Sequence, residues 1–425
     1  MIFEDLGLSK SILQAIQEEG YTQPTPIQEK AIPVILEGND LVGCAQTGTG
    51  KTAAFAIPII HYLHRVIGTS KKHKKIKALI ITPTRELAIQ IGESFDTYGK
   101  YSSITQLTIF GGVSQIPQVE TLKKGVDVLI ATPGRILDLH KQGFIDLDHL
   151  HTLVLDEADQ MLDMGFIGDV KKIVKLTPDN RQTLLFSATM PLAIRELAEE
   201  FLKDPKTVTV TPVSSTAETV KQSIYFVEKS EKRALLYHLI RNEKLSNVLV
   251  FARTKHGADN IVKSLRKREV KAEAIHGDKS QTSRQRALDA FKNKEVDILV
   301  ATDIAARGID IEQLPLVINF DLPNIPETYV HRIGRTGRAG NGGNAISFCG
   351  KDEHVYWKDI QKLIRTDVKT IFEHPYPWKE EIQNNEAKPK GANRSGKTGG
   401  KSGGARSGKS SRKSDNSKKN KKRWY

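Results

Sequence analysis

The sequence predicts an α/β protein of two parallel-sheet domains in tandem, followed by a basic tail. Short apolar runs rich in Val, Ile and Leu alternate with helical stretches along residues 1–375. Continuous apolar runs between helices are the signature of strands buried on both faces. The rhythm breaks at 204–219, DPKTVTVTPVSSTAET, where two prolines and many Ser and Thr read as a last strand and a linker. The net charge of +14 is concentrated in residues 385–425, which hold 14 Lys and Arg against only Glu386 and Asp415.

The expected organisation is a first domain over 1–208, a linker over 209–219, a second domain over 220–375 and a tail over 376–425. Strands are expected at LVGCA (41–45), ALIIT (78–82), DVLIA (127–131), TLVLD (152–156) and TLLFS (183–187). In the second half they are expected at NVLVFA (247–252), DILVAT (297–302) and LVINF (316–320). No strict sequence repeat relates the two halves. From Pro389 to Arg423 the chain offers almost nothing to bury, and disorder is expected there. So cationic a tail points to a polyanion, with a solubilising tail as the alternative. The basic loop GTSKKHKK (68–75) reads as an exposed connection.

Some classes are excluded. No run reaches the roughly 18 apolar residues of a membrane span. Two cysteines, Cys44 and Cys349, cannot build a disulfide framework, and MIFEDLGLSK is acidic where a signal peptide is basic. A reducing, cytoplasmic compartment is the expectation.

Four segments carry chemistry. Ala45-Gln46-Thr47-Gly48-Thr49-Gly50-Lys51-Thr52 lies between a strand and a helix-forming stretch, the context of a phosphate loop. Its backbone N–H groups would wrap a β-phosphate, Lys51 would reach the β- and γ-phosphates, and Thr52 would hold Mg²⁺. Asp156-Glu157-Ala158-Asp159 closes an apolar strand, where phosphate ligands bind in such sheets. Asp156 would hold Mg²⁺ through its water shell and Glu157 would orient and deprotonate a water. Ser187-Ala188-Thr189 ends the next strand, where its hydroxyls would bond Asp159, cap the following helix MPLAIRELAEEF, or both. His331-Arg332-Ile333-Gly334-Arg335-Thr336-Gly337-Arg338 would, on a helix, place Arg335 and Arg338 on one face, suited to a γ-phosphate arriving from the opposite domain.

Together these segments resemble the DEAD-box ATP-dependent RNA helicases of superfamily two, over about residues 1–375, and the short core with a basic tail is most similar to the bacterial RhlE-type group. The resemblance implies two tandem RecA-like domains, with ATP and Mg²⁺ as cofactors and RNA, single-stranded or in short duplexes, as partner. It implies adenine recognition by the segment from Gly20 to Gln28, with Tyr21 and Gln28, and stacking by Phe3. RNA-backbone contacts are implied for Pro83, Thr84, Arg85, Gly112, Thr132, Pro133, Gly134 and Arg135. In the second domain they are implied for Arg253, Thr254, Gly277, Gln281, Arg284, Thr302 and Asp303. Gly308 and Asp310 are implied to face the nucleotide, and His331, with Asp159, Ser187 and Thr189, to couple ATP state to RNA binding.

The expected activity is RNA-stimulated ATP hydrolysis and local, non-processive unwinding by a monomeric core. Two other readings stand beside it: a DNA helicase on the same core, and an ATP-dependent RNA clamp that recruits proteins. The resemblance extends the partner expectation to a ribosome or RNA-degradation assembly.

Overall fold

The computed structural model describes residues 1–46, 48–67, 75–210, 220–306, 311, 314–336 and 343–378. Thr47, Gly308, Asp310 and Arg338 lie outside the described residues. So do most of the 68–75 loop, the linker from 211 to 219 and the tail from 379 onward.

The first half holds strands β1 (Leu41–Cys44), β2 (Ala78–Ile81), β3 (Gln106–Ile109), β4 (Val128–Ala131), β5 (Thr152–Leu155), β6 (Gln182–Ser187) and β7 (Lys206–Thr209). The second holds β8 (Val220–Phe226), β9 (Val248–Phe251), β10 (Ala272–Ile275), β11 (Ile298–Ala301), β12 (Leu316–Asn319), β13 (Gly343–Cys349) and β14 (Lys369–Ile371). The sheet orders are β3-β4-β2-β5-β6-β1-β7 and β10-β11-β9-β12-β13-β8-β14, and the recorded pairings within the sheets are parallel. The second order is the first shifted by seven, so the fold repeats although the sequence does not.

The apolar runs explain the layers. Side chains alternate between faces along a strand. Leu41, Ile80, Val154, Leu184 and Phe186 enter one core with the helix Lys51–Ile67. Their neighbours Val42, Ile81, Leu153, Leu155 and Leu185 enter a second core on the other face. The central strands β2, β4, β5, β9, β11 and β12 are buried along their whole length. Helix-covered parallel sheets require this. At the edges β7 and β14 are largely polar and partly exposed, which guards against pairing with another chain.

Topology sorts the strand ends. In the first sheet β5, β6 and β1 are adjacent, and their C-terminal ends carry Asp156, Ser187 and Ala45. The ends of β3, β4 and β2 carry Gly112, Thr132 and Pro83. Two sites are therefore built side by side on one edge of one sheet.

Candidate active site

Lys51 opens the helix after β1, and its ammonium donates to the Ala45 carbonyl at 2.7 Å while only 6% exposed. Thr49 Oγ1 donates to Gln46 O at 2.7 Å and tightens the loop. Gly50 has φ +90, and a Cβ there would lie 2.4 Å from Gln28 Nε2 and 3.0 Å from Thr25 Oγ1. Only glycine admits both the backbone angle and this approach. Gln28 accepts from Thr25 N at 2.9 Å and donates to Gly50 O at 3.2 Å. Its amide thus joins the Gly20–Gln28 segment to the phosphate loop. Tyr21 is half exposed nearby in sequence, whereas Phe3 is 3% exposed and packs in the core with Leu6, Ile12 and Ile27. An open stacking face at Phe3, as the resemblance implied, is thus absent here, because the ring is consumed by core packing.

Asp156 and Glu157 are almost completely buried. Glu157 N donates to Asp156 Oδ1 at 3.0 Å. Burial pushes both carboxyls well above their ordinary range. For Glu157 the Asp156 charge adds to the rise, and Lys51 and then Arg335 oppose it. Arg335 belongs to the second half, so the halves meet electrostatically at this carboxyl. Glu157 also sits at φ 53, ψ 50, a left-handed conformation at the N-cap of the helix Ala158–Asp163, without a side-chain capping bond. That backbone costs roughly 1–3 kcal/mol in a non-glycine residue. A merely capping acid would not need it. The Thr52 hydroxyl and the Asp156 carboxylate beside a phosphate loop fit Mg²⁺, which takes few protein oxygens and completes its shell with phosphate and water.

The Asp159 carboxylate accepts from Thr189 N at 2.8 Å and Thr189 Oγ1 at 2.9 Å. Ser187 Oγ accepts from Asp159 N at 3.2 Å and donates to Thr189 O at 2.7 Å. These hydroxyls join β5 to β6. They do not cap the next helix, Leu192–Phe201, whose N-cap is Pro191.

In the second half the helix Pro326–Ile333 ends at Gly334, so Arg335 lies in the turn beyond it. Arg335 therefore does not stand on the helix, because the glycine ends it first, and the face expected to be shared with Arg338 falls outside the described residues. His331 and Arg335 line a small cavity with Phe251 and Asp303. Arg332, 2% exposed, holds both Asp303 oxygens at 2.6 and 2.8 Å, Asn319 at 3.1 Å and the Asp321 carbonyl at 2.6 Å. Asp303 is thus occupied as a supporting partner, not turned out toward a ligand.

A cleft of about 450 Å³ lies beside this centre, lined by Pro83, Thr84, Arg85, Gly111, Thr132, Pro133, Gly134 and Arg135 from the first half and by Gly277 and Arg284 from the second. Gly112, at φ +76, lies against Arg85: a Cβ would come within 2.3 Å of its guanidinium. Arg135 donates to Gln118 and to the Val113 carbonyl, at 3.0 and 3.1 Å. Thr84 and Thr254 each cap the helix that follows, and Thr302 N donates to Ile275 O at 3.3 Å. Arg253 donates through Nη2 to Glu353 at 2.7 Å and Leu322 O at 3.0 Å. Across the halves Glu86 accepts from Gln281 Nε2 at 2.8 Å and pairs with Arg284 at 3.0 Å.

The comparisons agree with this division. The DEAD/DEAH box helicase family matches residues 25–197, and the helicase conserved C-terminal domain matches residues 231–340. The chain is 46% identical over 365 residues to the ATP-dependent RNA helicase CshA of Limosilactobacillus reuteri, covering 86% of this chain and 72% of that protein. It is 44% identical to the ATP-dependent RNA helicase DeaD of Haemophilus influenzae, covering 87% of this chain and 59% of that one. The chain belongs to the DEAD-box RNA helicase family. Among solved structures, S. cerevisiae Dbp5 bound to RNA and ADP BeF3 is 31% identical with a TM-score of 0.76, covering 87% of this chain and 95% of that one. A DEAD box protein from Methanococcus jannaschii is 40% identical with a TM-score of 0.51, covering 87% and 99%.

Two residues of this DEAD-box protein carry more than their sequence suggested. Glu86 stands inside Pro83-Thr84-Arg85-Glu86-Leu87, yet nothing local marks it as the partner of residues almost 200 positions away. Arg332 reads as one more basic residue beside His331, and only burial identifies it as the anchor of that segment. Cys44, half buried, donates to Ala188 O at 3.7 Å, and burial raises its thiol pKa, which fits a structural residue. Among the described residues no helix is long and apolar enough to cross a membrane.

Proposed function

We propose that this protein couples ATP hydrolysis to local separation of short RNA duplexes, holding the RNA backbone without reading its sequence. One observation carries the reading. Strand ends of both halves face a single cleft, while Arg335 of the second half acts on Glu157 of the first. Any movement of one half on the other therefore changes both places together, and binding at either favours the other.

Lys51 holds the β- and γ-phosphates, Gln28 reads adenine, and Gly308 and Asp310 lie against the nucleotide. Mg²⁺, held by Thr52 and Asp156, neutralises phosphate charge when bound. Glu157 takes a proton from the attacking water, and Arg335 and Arg338 stabilise charge developing on the γ-phosphate. Asp159 with Thr189, and His331 across the interface, pass the ATP state to the cleft. There Thr hydroxyls, guanidiniums and glycine N–H groups suit phosphates and offer no base-reading helix. Closure would bend one strand and release its partner.

The RNA assignment is favoured over DNA by the relatives' names and by the RNA-bound Dbp5 structure. Its higher TM-score, 0.76 against 0.51 for the archaeal protein that is more identical in sequence, supports an arrangement of the halves like that of the RNA-bound structure. The RhlE-type grouping, a monomeric core, cytoplasmic location, work within a ribosome or RNA-degradation assembly, and RNA capture by the tail belong to the same proposal. The test measures ATPase with RNA, with single-stranded DNA and with neither, followed by displacement of a short RNA duplex. RNA alone should stimulate strongly. Stimulation by DNA would support the DNA helicase, and RNA-stimulated turnover without displacement would support the clamp.

A further inference from the structure

The strand ends that build the nucleotide site in the first half have counterparts in the second. Lys51 opens the helix after β1, and Lys232 opens the helix Lys232–Asn242 after β8. Asp156 follows β5, and Asp321 lies just beyond β12. Ser187 ends β6, and the 3-10 turn Lys351–Glu353 follows β13. The contents differ. Lys232 Nζ donates to Glu353 Oε2 at 2.6 Å, Phe320 O at 2.7 Å and Asp321 Oδ1 at 3.2 Å. Glu353 also accepts from Gly350 N at 3.0 Å, Leu322 N at 3.1 Å and Arg253 Nη2 at 2.7 Å. The Lys232 and Glu353 side chains are each 2% exposed.

Two backbone N–H groups, an ammonium and a guanidinium converging on one anion are the donor set of a phosphate site. We infer that Glu353 is a built-in anion: its carboxylate takes, in the second half, the place a nucleotide phosphate takes in the first, and thereby fixes Arg253, just beyond the end of β9, for the RNA contact proposed above. Glu353 is a positioning residue, since it touches Arg253 and not RNA. Both of the Arg253 side-chain hydrogen bonds use Nη2, its backbone N–H is held by Asp321 Oδ2 at 2.9 Å, and its side chain is still 40% exposed. A tethered carboxylate never dissociates, so this half keeps one geometry whatever the nucleotide does. Removing it leaves a cavity between two cations that suits a free tetrahedral oxyanion.

The anion site stands on geometry alone, whereas the consequence for RNA rests on the reading of the cleft given above. The test uses the full chain, with Glu353→Ala and Glu353→Gln, and sulfate exchanged for chloride at constant ionic strength. In Glu353→Ala the thermal midpoint should fall, and sulfate should raise it saturably and by more than in wild type, as a ligand of the folded state does. The RNA concentration for half-maximal ATPase should rise on the order of tenfold, the loss of one charge-assisted hydrogen bond. Glu353→Gln should show the RNA effect without the sulfate effect, because the amide still fills the site. If the alanine variant does not fold, the RNA half-saturation of the glutamine variant decides. An identical sulfate response in Glu353→Ala and wild type overturns the anion site. A wild-type RNA half-saturation in Glu353→Gln overturns the positioning role. A wild-type ATPase indifferent to RNA would break the reading of the cleft and leave the sulfate comparison intact.

Discussion

The ends of β5, β6 and β1 in the first half and of β12, β13 and β8 in the second stand on the same scaffold, yet they treat charge in opposite ways. In the second half Lys232 meets Glu353 and Asp321, Arg253 meets Glu353, and Arg332 meets Asp303. In the first half Asp156 and Glu157 lie buried side by side, each raised mainly by burial, and Glu157 has a left-handed backbone. A buried carboxylate with cationic partners within its own half is structural. Two adjacent buried carboxylates opposed mainly by one lysine of their own half and an arginine of the other are costly, and the cost is offset when charge or a proton arrives from outside. The comparison therefore separates a site that binds from a site that braces without appeal to any motif.

The largest expected effect comes from the group that joins the two halves electrostatically. Arg335→Ala should lower kcat by about 10³–10⁵, the range for an arginine acting on a transferring phosphoryl group. ATP affinity should change far less. Loss of RNA affinity alone, with kcat intact at saturating RNA, would make Arg335 part of a basic RNA face. Within the first half, Glu157→Gln should lower kcat by roughly 10²–10⁴ with ATP binding retained. Its thermal midpoint should not fall, because the amide removes a buried charge beside Asp156. A variant that hydrolyses ATP at the wild-type rate would remove Glu157 from the chemistry.

The layered core was legible before the structure because burial on both faces writes itself as runs such as ALIIT and TLVLD. The observed β2, Ala78–Ile81, and β5, Thr152–Leu155, are each one residue shorter than those runs. Missed strands such as β3 (QLTI) and β10 (AEAI) are polar-alternating members at or near the sheet edge, where one face needs no apolar residue. The repeat of one fold within the chain was invisible for a related reason. Strand order depends on where apolar and polar residues fall, not on which ones they are. At the site, the glycines, Lys51 and the acidic tetrad were legible because phosphate chemistry restricts residue types. The Glu86 pairing and the Glu353 cluster were not, because each joins ordinary charged residues from distant segments.

Gln28 gives the next effect in size. Its amide now bridges Thr25 N and Gly50 O, so adenine would compete with, or add to, bonds that hold the loop. Gln28→Ala should narrow the preference for ATP over GTP by about 1–3 kcal/mol, the value of an amide matched to adenine. Competition between the two nucleotides in an ATPase assay measures it. An unchanged ratio with weaker binding of both would confine Gln28 to bracing the loop. The Glu86–Arg284 pair comes next: a double-mutant cycle on RNA half-saturation should give a coupling of about 0.5–3 kcal/mol. Zero coupling would mean that the halves do not meet through this pair when RNA is bound.

The smallest effect tests the comparison most directly, because here the halves are alike. Thr84 stands three residues beyond β2 and Thr254 three beyond β9. Thr84 Oγ1 accepts from Leu87 N at 3.3 Å, and Thr254 Oγ1 accepts from Gly257 N at 3.0 Å. Each hydroxyl therefore accepts from a helix N–H, and that bond does not use its proton. Thr84→Ala and Thr254→Ala should each lower stability by about 1 kcal/mol, the usual cost of an N-cap, and serine should restore it. Denaturant midpoints measure this. RNA half-saturation then separates the two roles. If both hydroxyls also donate to phosphate, each alanine variant should weaken RNA binding even where the protein is fully folded, and serine should recover that as well. Matched stability losses without any change in RNA half-saturation would leave Thr84 and Thr254 as caps alone, and the phosphate contacts of the cleft would fall to its arginines and backbone N–H groups.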